Sequence, residues 1–135
     1  MNTLQGKVVD IQSSQMISLI TVEVKGDLFS SIVLEGKKVP LNYKKKDSVN
    51  VIFKETEVGI AKNLSGQISF RNRFKARIKQ IDQGDLLSRL ILDYNGFNIE
   101  SVISTKSVRE MKLKESEEIE WLVKTNEVSL MPIPK

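Results

Sequence analysis

The chain has 135 residues, 40% hydrophobic and 28% charged, and its 21 Lys and Arg against 17 Asp and Glu give a net charge of +4. That length is enough for one domain or two small ones with a buried core, while zero cysteines and zero histidines remove disulfides, thiolate nucleophiles, Cys or His metal sites and the usual general base near neutral pH. The modest, dispersed basic excess suits an anionic ligand without marking nucleic acid; no apolar run reaches the ~18 residues of a membrane span and Met1–Asp10 lacks a signal peptide's basic-then-apolar layout, so a cytoplasmic protein with no membrane partner is expected.

An internal repeat organises the rest. Sliding the sequence on itself by 70 residues pairs Asn2 with Asn72, Leu4 with Phe74, Val8 with Ile78, Ile11 with Ile81, Ser18 with Ser88 and Gly26 with Gly96. Without a gap the same slide pairs Ser31 with Ser101, Lys44 with Lys114, Lys54 with Lys124, and Glu57-Val58 with Glu127-Val128. The expected organisation is a first unit at 1–61, a linker at 62–67, a second unit at 68–131 and a tail at 132–135.

In copy one, residues 4–11 alternate as a strand, Met16 to Val24 is rich in β-branched residues and stops at Lys25-Gly26-Asp27, and Phe29 to Leu34 is the next strand. In copy two, Phe74 to Ile81 leads to the turn Gln83-Gly84-Asp85, Leu86 to Tyr94 follows, and Asn95-Gly96 signals a two-residue hairpin before Phe97 to Ile103. Ser107-x-x-Glu110 has the form of a capping box opening a short helix through Leu113. Glu118 to Lys124 and Glu127 to Met131 are the last strands, ended by Pro132 and Pro134. Several short strands and at most one short helix per copy predict an all-β chain of two tandem OB-like five-stranded barrels. Copy one has Gly36-Lys37-Lys38-Val39-Pro40 where copy two has its helix, and nothing before Met1 to match Ser69 and Arg71.

A fully ionised tetrahedral oxyanion offers only acceptors, so a site for one needs clustered donors, some cationic. Ser69, Arg71, Ser104, Ser107 and Lys124 are such donors, each at an end or edge of a predicted element. A helix beginning near Ser104 to Ser107 adds amide donors. Plainer roles exist for each. Ser107 can serve as a helix cap, Arg71 and Lys124 as solvated strand charges, and Asn2 and Asn72 as turn or strand-edge residues. Lys44-Lys45-Lys46 reads as an exposed loop, Glu115-Ser116-Glu117-Glu118 as a solvated turn, and Trp121, between Ile119 and Val123, as core.

Ile68-Ser69-Phe70-Arg71-Asn72-x-Phe74, then Val102-Ile103-Ser104-Thr105-Lys106-Ser107, then Leu122-Val123-Lys124-Thr125 resemble the Mop domain of the molbindin family, called TOBE when fused to transport ATPases. The family pattern is Ser-Ala-Arg-Asn-x-Leu-x-Gly, Ile-Thr-x-x-Ser, and a strand bearing Lys before the last strand. The resemblance implies an OB-like barrel that binds molybdate or tungstate as an oxyanion, with no cofactor and no metal held directly by side chains. It implies sites between subunits or repeats, and a homo-oligomer, a trimer in preference to a dimer. Carried over, Ser69, Arg71 and the amide of Phe70 meet the anion, Ser104 stands for the family's Thr, Ser107 matches its Ser, and Lys124 with the Thr125 amide matches its Lys. Phe70 replaces a small residue and Phe74-Lys75-Ala76 replaces Leu-x-Gly. Copy one keeps only Lys54, the candidate for a second site, and Asn2-x-Leu4-x-Gly6, so one full donor set per chain is expected.

Three functional classes follow: storage, homeostasis or sensing of molybdate or tungstate; an OB-type nucleic-acid binder; and a regulatory module acting on a transporter or regulator partner. One Trp, two Tyr and five Phe with no evident strip disfavour nucleic acid. An enzyme is not expected, since no acid–base pair stands out.

Overall fold

Strands dominate the chain, as the alternation predicts. The computed structural model describes residues 1–34 and 43–134. In chain order it contains β1 (Asn2–Ser14), β2 (Ile17–Val24), β3 (Asp27–Leu34), β4 (Ser48–Phe53), β5 (Gly59–Ala61), β6 (Asn72–Gln83), β7 (Leu87–Tyr94), β8 (Phe97–Ser104), α1 (Thr105–Glu110), β9 (Glu118–Val123) and β10 (Ser129–Pro132). Single 3-10 turns at Glu55–Glu57 and Thr125–Glu127 follow β4 and β9.

The repeat is realised in the strands and turns of both copies. β2 buries Ser18, Ile20, Val22 and Val24, and β7 buries Ser88, Leu90, Leu92 and Tyr94, the period-2 pattern of a strand with one face in a core. Each copy's long first strand carries a bulge at the same place, between Val8 and Asp10 in one and between Ile78 and Gln80 in the other. The hairpin turns match as well: Lys25 (φ 47°) and Gly26 (φ 89°) correspond to Asn95 (φ 51°) and Gly96 (φ 90°). Two successive positive φ values make the turn that follows the natural twist of the flanking strands.

The sheets do not follow the repeat boundary. One has the order β10-β4-β1-β2-β3 and the other β5-β9-β6-β7-β8. The last strand of copy two, β10, pairs with β4 of copy one, Leu130 opposite Val51. The last strand of copy one, β5, pairs with β9 of copy two, Ile60 opposite Trp121. Each barrel is therefore completed by a strand from the other copy. Matching bonds seal both crossings: Ser31 Oγ donates to the Val128 carbonyl at 2.5 Å and Ser101 Oγ to the Val58 carbonyl at 2.7 Å.

The two asparagines at the strand beginnings serve the same exchange. The Asn72 amide donates to the Ser30 carbonyl (2.9 Å) and its oxygen accepts from Ser30 N–H (2.7 Å). Asn2 does the same with Glu100, at 2.9 and 2.8 Å. Both are buried, and each supplies the backbone of the other copy's strand with a pair of bonds.

A single hydrophobic core results, drawing on both copies. Trp121, fully buried as expected, lies with its ring centroid 5.5 Å from Phe53, 5.9 Å from Phe29, 5.2 Å from Phe74 and 5.2 Å from Tyr94. Tyr94 adds a polar tie by donating its hydroxyl to Asp27 of copy one; burial first, and then that carboxylate, pushes its pKa far upward.

Two details of the sequence reading need correction. The helix cap lies three residues earlier than Ser107: it is Ser104, extended at φ −65° and ψ 143°, whose Oγ accepts from Ser107 N–H at 3.1 Å, and the helix runs Thr105–Glu110. The reason is the hold of Thr105 on the preceding turn, by its N–H to the Leu86 carbonyl and its Oγ1 to the Gly84 carbonyl, both at 2.8 Å. This starts the helix directly at the end of β8. Pro132 lies within β10 rather than beyond it, opposite Val49, which an edge strand tolerates because one side of its backbone needs no ladder donor. Lys44 to Lys46 are exposed, as read. The contrasting Gly36 to Pro40 stretch lies outside the described residues.

Replacing Asn72 by Ala leaves the Ser30 N–H and C=O without these partners, and an unpaired buried polar group costs roughly 1–3 kcal/mol. Urea unfolding of Asn72→Ala is expected to show a loss of about 2–4 kcal/mol, with Asn72→Asp worse because it sets an acceptor against the Ser30 carbonyl. A loss below about 0.5 kcal/mol would mean that these bonds do not secure the exchange.

Candidate functional site

The loop from β5 to β6 carries Ser69, Phe70 and Arg71 along an open groove of about 870 Å³ that also includes Gln67, Arg73 and Glu120. Ser69 and Arg71 are exposed and Phe70 is half-buried. The Arg71 guanidinium donates to the Ile68 carbonyl within the loop, which curls the run back on itself and uses one of its five N–H groups.

Arg73 and Glu120 form the floor's charged pair. Arg73 Nε and a terminal nitrogen both donate to the Glu120 carboxylate, the latter at 3.1 Å, and the same guanidinium reaches the Leu64 carbonyl at 3.2 Å. The hydrogen bond from Arg73 is the chief reason that the Glu120 carboxyl lies below its usual range, and the reciprocal bond raises Arg73. The carboxylate in the groove is thus already neutralised by a neighbour. Neither residue is among those the sequence reading singled out, because their relation is diagonal across the β6–β9 ladder, where Glu120 stands opposite Lys75 and Arg73 opposite Leu122.

The other expected donors divide into two groups. Asn72 is level with Val123, so Arg71 and Lys124 each lie one step beyond that pair, at the same end of the sheet. Ser104 and Ser107 are bonded to one another, Oγ to Oγ at 2.8 Å, but at the opposite end: Ser104 is level with Leu87 and the neighbouring Ser88 with Gln83, the last residue of β6. The 12-residue β6 runs between the two groups, roughly 36 Å along the strand at 3.3 Å per residue. Within one chain, Ser69, Phe70, Arg71, Lys124 and Thr125 share an end and the serine pair does not.

Lys54 sits in the corresponding position of copy one, before the turn that packs against β8. Glu57 and Glu127 line the same 270 Å³ depression as Lys54. Burial and then the adjacent Glu127 hold the Glu57 carboxyl above its usual range, with Lys54 acting in the opposite sense. Two carboxylates beside one lysine make a poor seat for a dianion. Among the described residues there is no cluster of three or more metal-ligating acidic side chains, and no helix is long and apolar enough to cross a membrane.

Comparison with known proteins bears on the same half of the chain. The TOBE domain family model matches residues 68–130. Molybdenum-pterin-binding proteins 1 and 2 of Clostridium pasteurianum are 32% and 34% identical over 65 residues, which is 47% of this chain and 96% of each relative. The solved structure of the cytoplasmic molybdate-binding protein ModG, with molybdate bound, superposes with a TM-score of 0.90 over 98% of this chain and 96% of that one, at 20% identity. The whole tandem fold is shared with that structure.

The Arg73–Glu120 pair makes the groove's electrostatics testable. A depressed carboxylate pKa contributes stability that is present above the unfolded value and is lost as pH falls through the folded one. Carboxyl NMR is expected to place Glu120 below the ordinary glutamate range in the parent protein and to return it upward in Arg73→Ala, with the parent's stability advantage over that variant shrinking on the acid side. An unchanged Glu120 titration in Arg73→Ala would remove Arg73 as the cause.

Proposed function

This chain belongs to the family of the molybdenum-pterin-binding proteins and carries a TOBE domain, and from that premise we propose that it binds molybdate or tungstate in the cytoplasm, to store, buffer or sense it. It acts as a binding protein and not as an enzyme. The observation that carries this reading is the Ser69-Phe70-Arg71 run displayed along a groove whose one lining carboxylate, Glu120, is already bonded to Arg73. A fully ionised tetrahedral anion there meets hydroxyl, amide and guanidinium donors without an unpaired negative charge.

The chemistry of the site is selective binding. Ser69 and the Phe70 amide donate to two oxygens, Arg71 supplies charge, and Lys124 with the Thr125 amide approaches from the neighbouring strand end. Charge-assisted hydrogen bonds contribute roughly 1.5–3 kcal/mol each, so a handful offsets the cost of association. The serine pair at the far end of β6 supports a further step: Ser104 and Ser107 of one molecule complete the donor set of another, in a homo-oligomer for which a trimer is the favoured form. Copy one, with Lys54 beside Glu57 and Glu127, adds no equivalent full site. A transporter or regulator that reads the loaded state is compatible with storage and sensing alike.

Titration calorimetry with molybdate, tungstate, sulfate and phosphate, alongside the mass by light scattering, tests the reading. Tight binding of the first two over the last two is expected, on an oligomer. Arg71→Ala and Lys124→Ala are each expected to weaken binding by about 1.5–3 kcal/mol. Parental affinity in both variants would move the site elsewhere, and a monomer that binds at full strength would exclude closure by a second copy.

A further inference from the structure

The most exposed apolar side chains of copy two stand beside its serine pair. Leu86 is 82% and Leu87 63% exposed, at the turn that joins β6 to β7, where short polar residues are the usual choice. The turn is well fixed. Gly84 N–H donates to the Leu87 carbonyl at 3.0 Å, and Thr105 donates its N–H to the Leu86 carbonyl and its Oγ1 to the Gly84 carbonyl, both at 2.8 Å. Leu87 is also level with Ser104 on β8, so the two leucines and the Ser104–Ser107 pair make one surface whose backbone Thr105 holds in place. At the other end of β6, Phe70 is half-exposed. Phe29, Phe53, Phe74 and Phe97 all lie against other rings, whereas no ring contact involves Phe70 among the described residues. Its neighbours Ser69 and Arg71 are the other half of the donor set.

An exposed apolar group therefore flanks each half of one donor set, and within a chain those halves lie roughly 36 Å apart along β6. We propose that the Leu86–Leu87 turn is the docking surface for a second copy of this chain, which seats its Phe70 ring there and so brings its Ser69–Arg71 run to Ser104 and Ser107. The inference rests on the oxyanion reading, in which the donors of two molecules meet, and adds the contact that holds them together. A second copy is the occupant because it carries both things this surface lacks, an apolar anchor and the complementary donors, side by side. The two surfaces differ and lie at opposite ends of one strand, so the contact is head to tail. Each molecule keeps one surface free for the next, and such a contact closes into a ring and not into a two-fold dimer. Copy one offers a weaker alternative. Met16 and Ile17, 46% and 48% exposed, occupy the places of Leu86 and Leu87, but Ile17 is level with Leu34 where Leu87 is level with Ser104, and a Phe70 seated there brings its donors to no hydroxyl pair.

The chain has no cysteine of its own, so introduced pairs report the contact directly. A disulfide joins Cα atoms no more than about 7 Å apart, far less than the length of β6, so a bond between positions 70 and 87 forms only between molecules. Oxidised full-length Phe70→Cys/Leu87→Cys is expected to give a covalent ladder on non-reducing gels, ending at the chain number that light scattering finds for the parent, with peptide mapping joining position 70 to position 87. Each single variant stops at two chains, and Phe70→Cys/Ile17→Cys gives no link between its two positions. Leu86→Ser/Leu87→Ser keeps Ser104 and Ser107 and is expected to lower the mass and to weaken molybdate binding roughly tenfold or more, the loss of one or more charge-assisted bonds. An assembled parent whose Phe70→Cys/Leu87→Cys variant forms no such link overturns the inference, as does linkage to position 17 in its place or an unchanged mass in Leu86→Ser/Leu87→Ser. A monomeric parent that binds molybdate also overturns it and leaves the anion site within one molecule. A ring linked through positions 70 and 87 that binds no molybdate overturns the oxyanion reading and leaves the contact standing.

Discussion

The structure depends on the reciprocal exchange of one strand. A short sheet with a bare edge leaves a row of backbone donors and acceptors unpaired, and each copy here ends its own barrel one strand short. β10 lies on β4 and β5 lies on β9, so neither barrel is complete without the other. The exchanged strands are short, with three residues in β5 and four in β10, and their ladder bonds are joined by buried side chains: Ser31 and Ser101 bond the carbonyls of Val128 and Val58 just before the exchanged strands, while Asn72 ties β6 to Ser30 of β3 and Asn2 ties β1 to Glu100 of β8. The aromatic cluster around Trp121 combines Phe29 and Phe53 of one copy with Phe74 and Tyr94 of the other. Two sequence units thus share one core.

The scaffold is nearly symmetric while its chemistry is not. The same offset that equates the bulges and hairpin turns sets Leu34, exposed at 74%, in the place of Ser104. It leaves Met1, whose amine pairs with Glu55, in the place of Arg71. Duplicated barrels keep what the core requires, because a wrong residue there costs stability, and they lose donors on the surface at little cost. The carboxylates of Glu57 and Glu127 meet where the two 3-10 turns approach each other, so Lys54 is left next to negative charge.

Much of the fold was legible in the sequence, and its limits have physical reasons. The fixed offset exposed the repeat because core alternation and turn residues recur together: Asn95-Gly96 announced a hairpin by itself, and the alignment carried that turn to Lys25-Gly26. The exchange was not legible. An alternating pattern says which face of a strand is buried and nothing about which strand lies beside it, so Gly59–Ala61 and Ser129–Pro132 read alike whether exchanged or not. The helix is capped by Ser104 and not by Ser107 because a cap is chosen by where the preceding strand ends, which the motif alone does not give. Of the site, the groove residues Ser69 to Arg71 were legible as a run of donors. Arg73 and Glu120 were not, since their pairing exists only through the register of β6 on β9.

That register also connects the exchange to the site. The chain leaving β5 has to cross from the strand it lends to one barrel to the first strand of that same barrel, and Ser69, Phe70 and Arg71 lie on this crossing. Its beginning is held by Lys62, which donates to the Met111 carbonyl at 3.0 Å and pairs with Glu117 at 2.7 Å. Its middle is held by Arg73 on the Leu64 carbonyl and its end by Arg71 on the Ile68 carbonyl. Glu120, adjacent to Trp121, orients Arg73 and so joins the loop to the core. A donor run on an exposed loop ordinarily loses rotational freedom on meeting its ligand. Here that freedom is already restricted by contacts that reach Arg73 on β6 and Met111 and Glu117 between α1 and β9. The Ser69 to Arg71 run thus lies on the same crossing that joins the two copies.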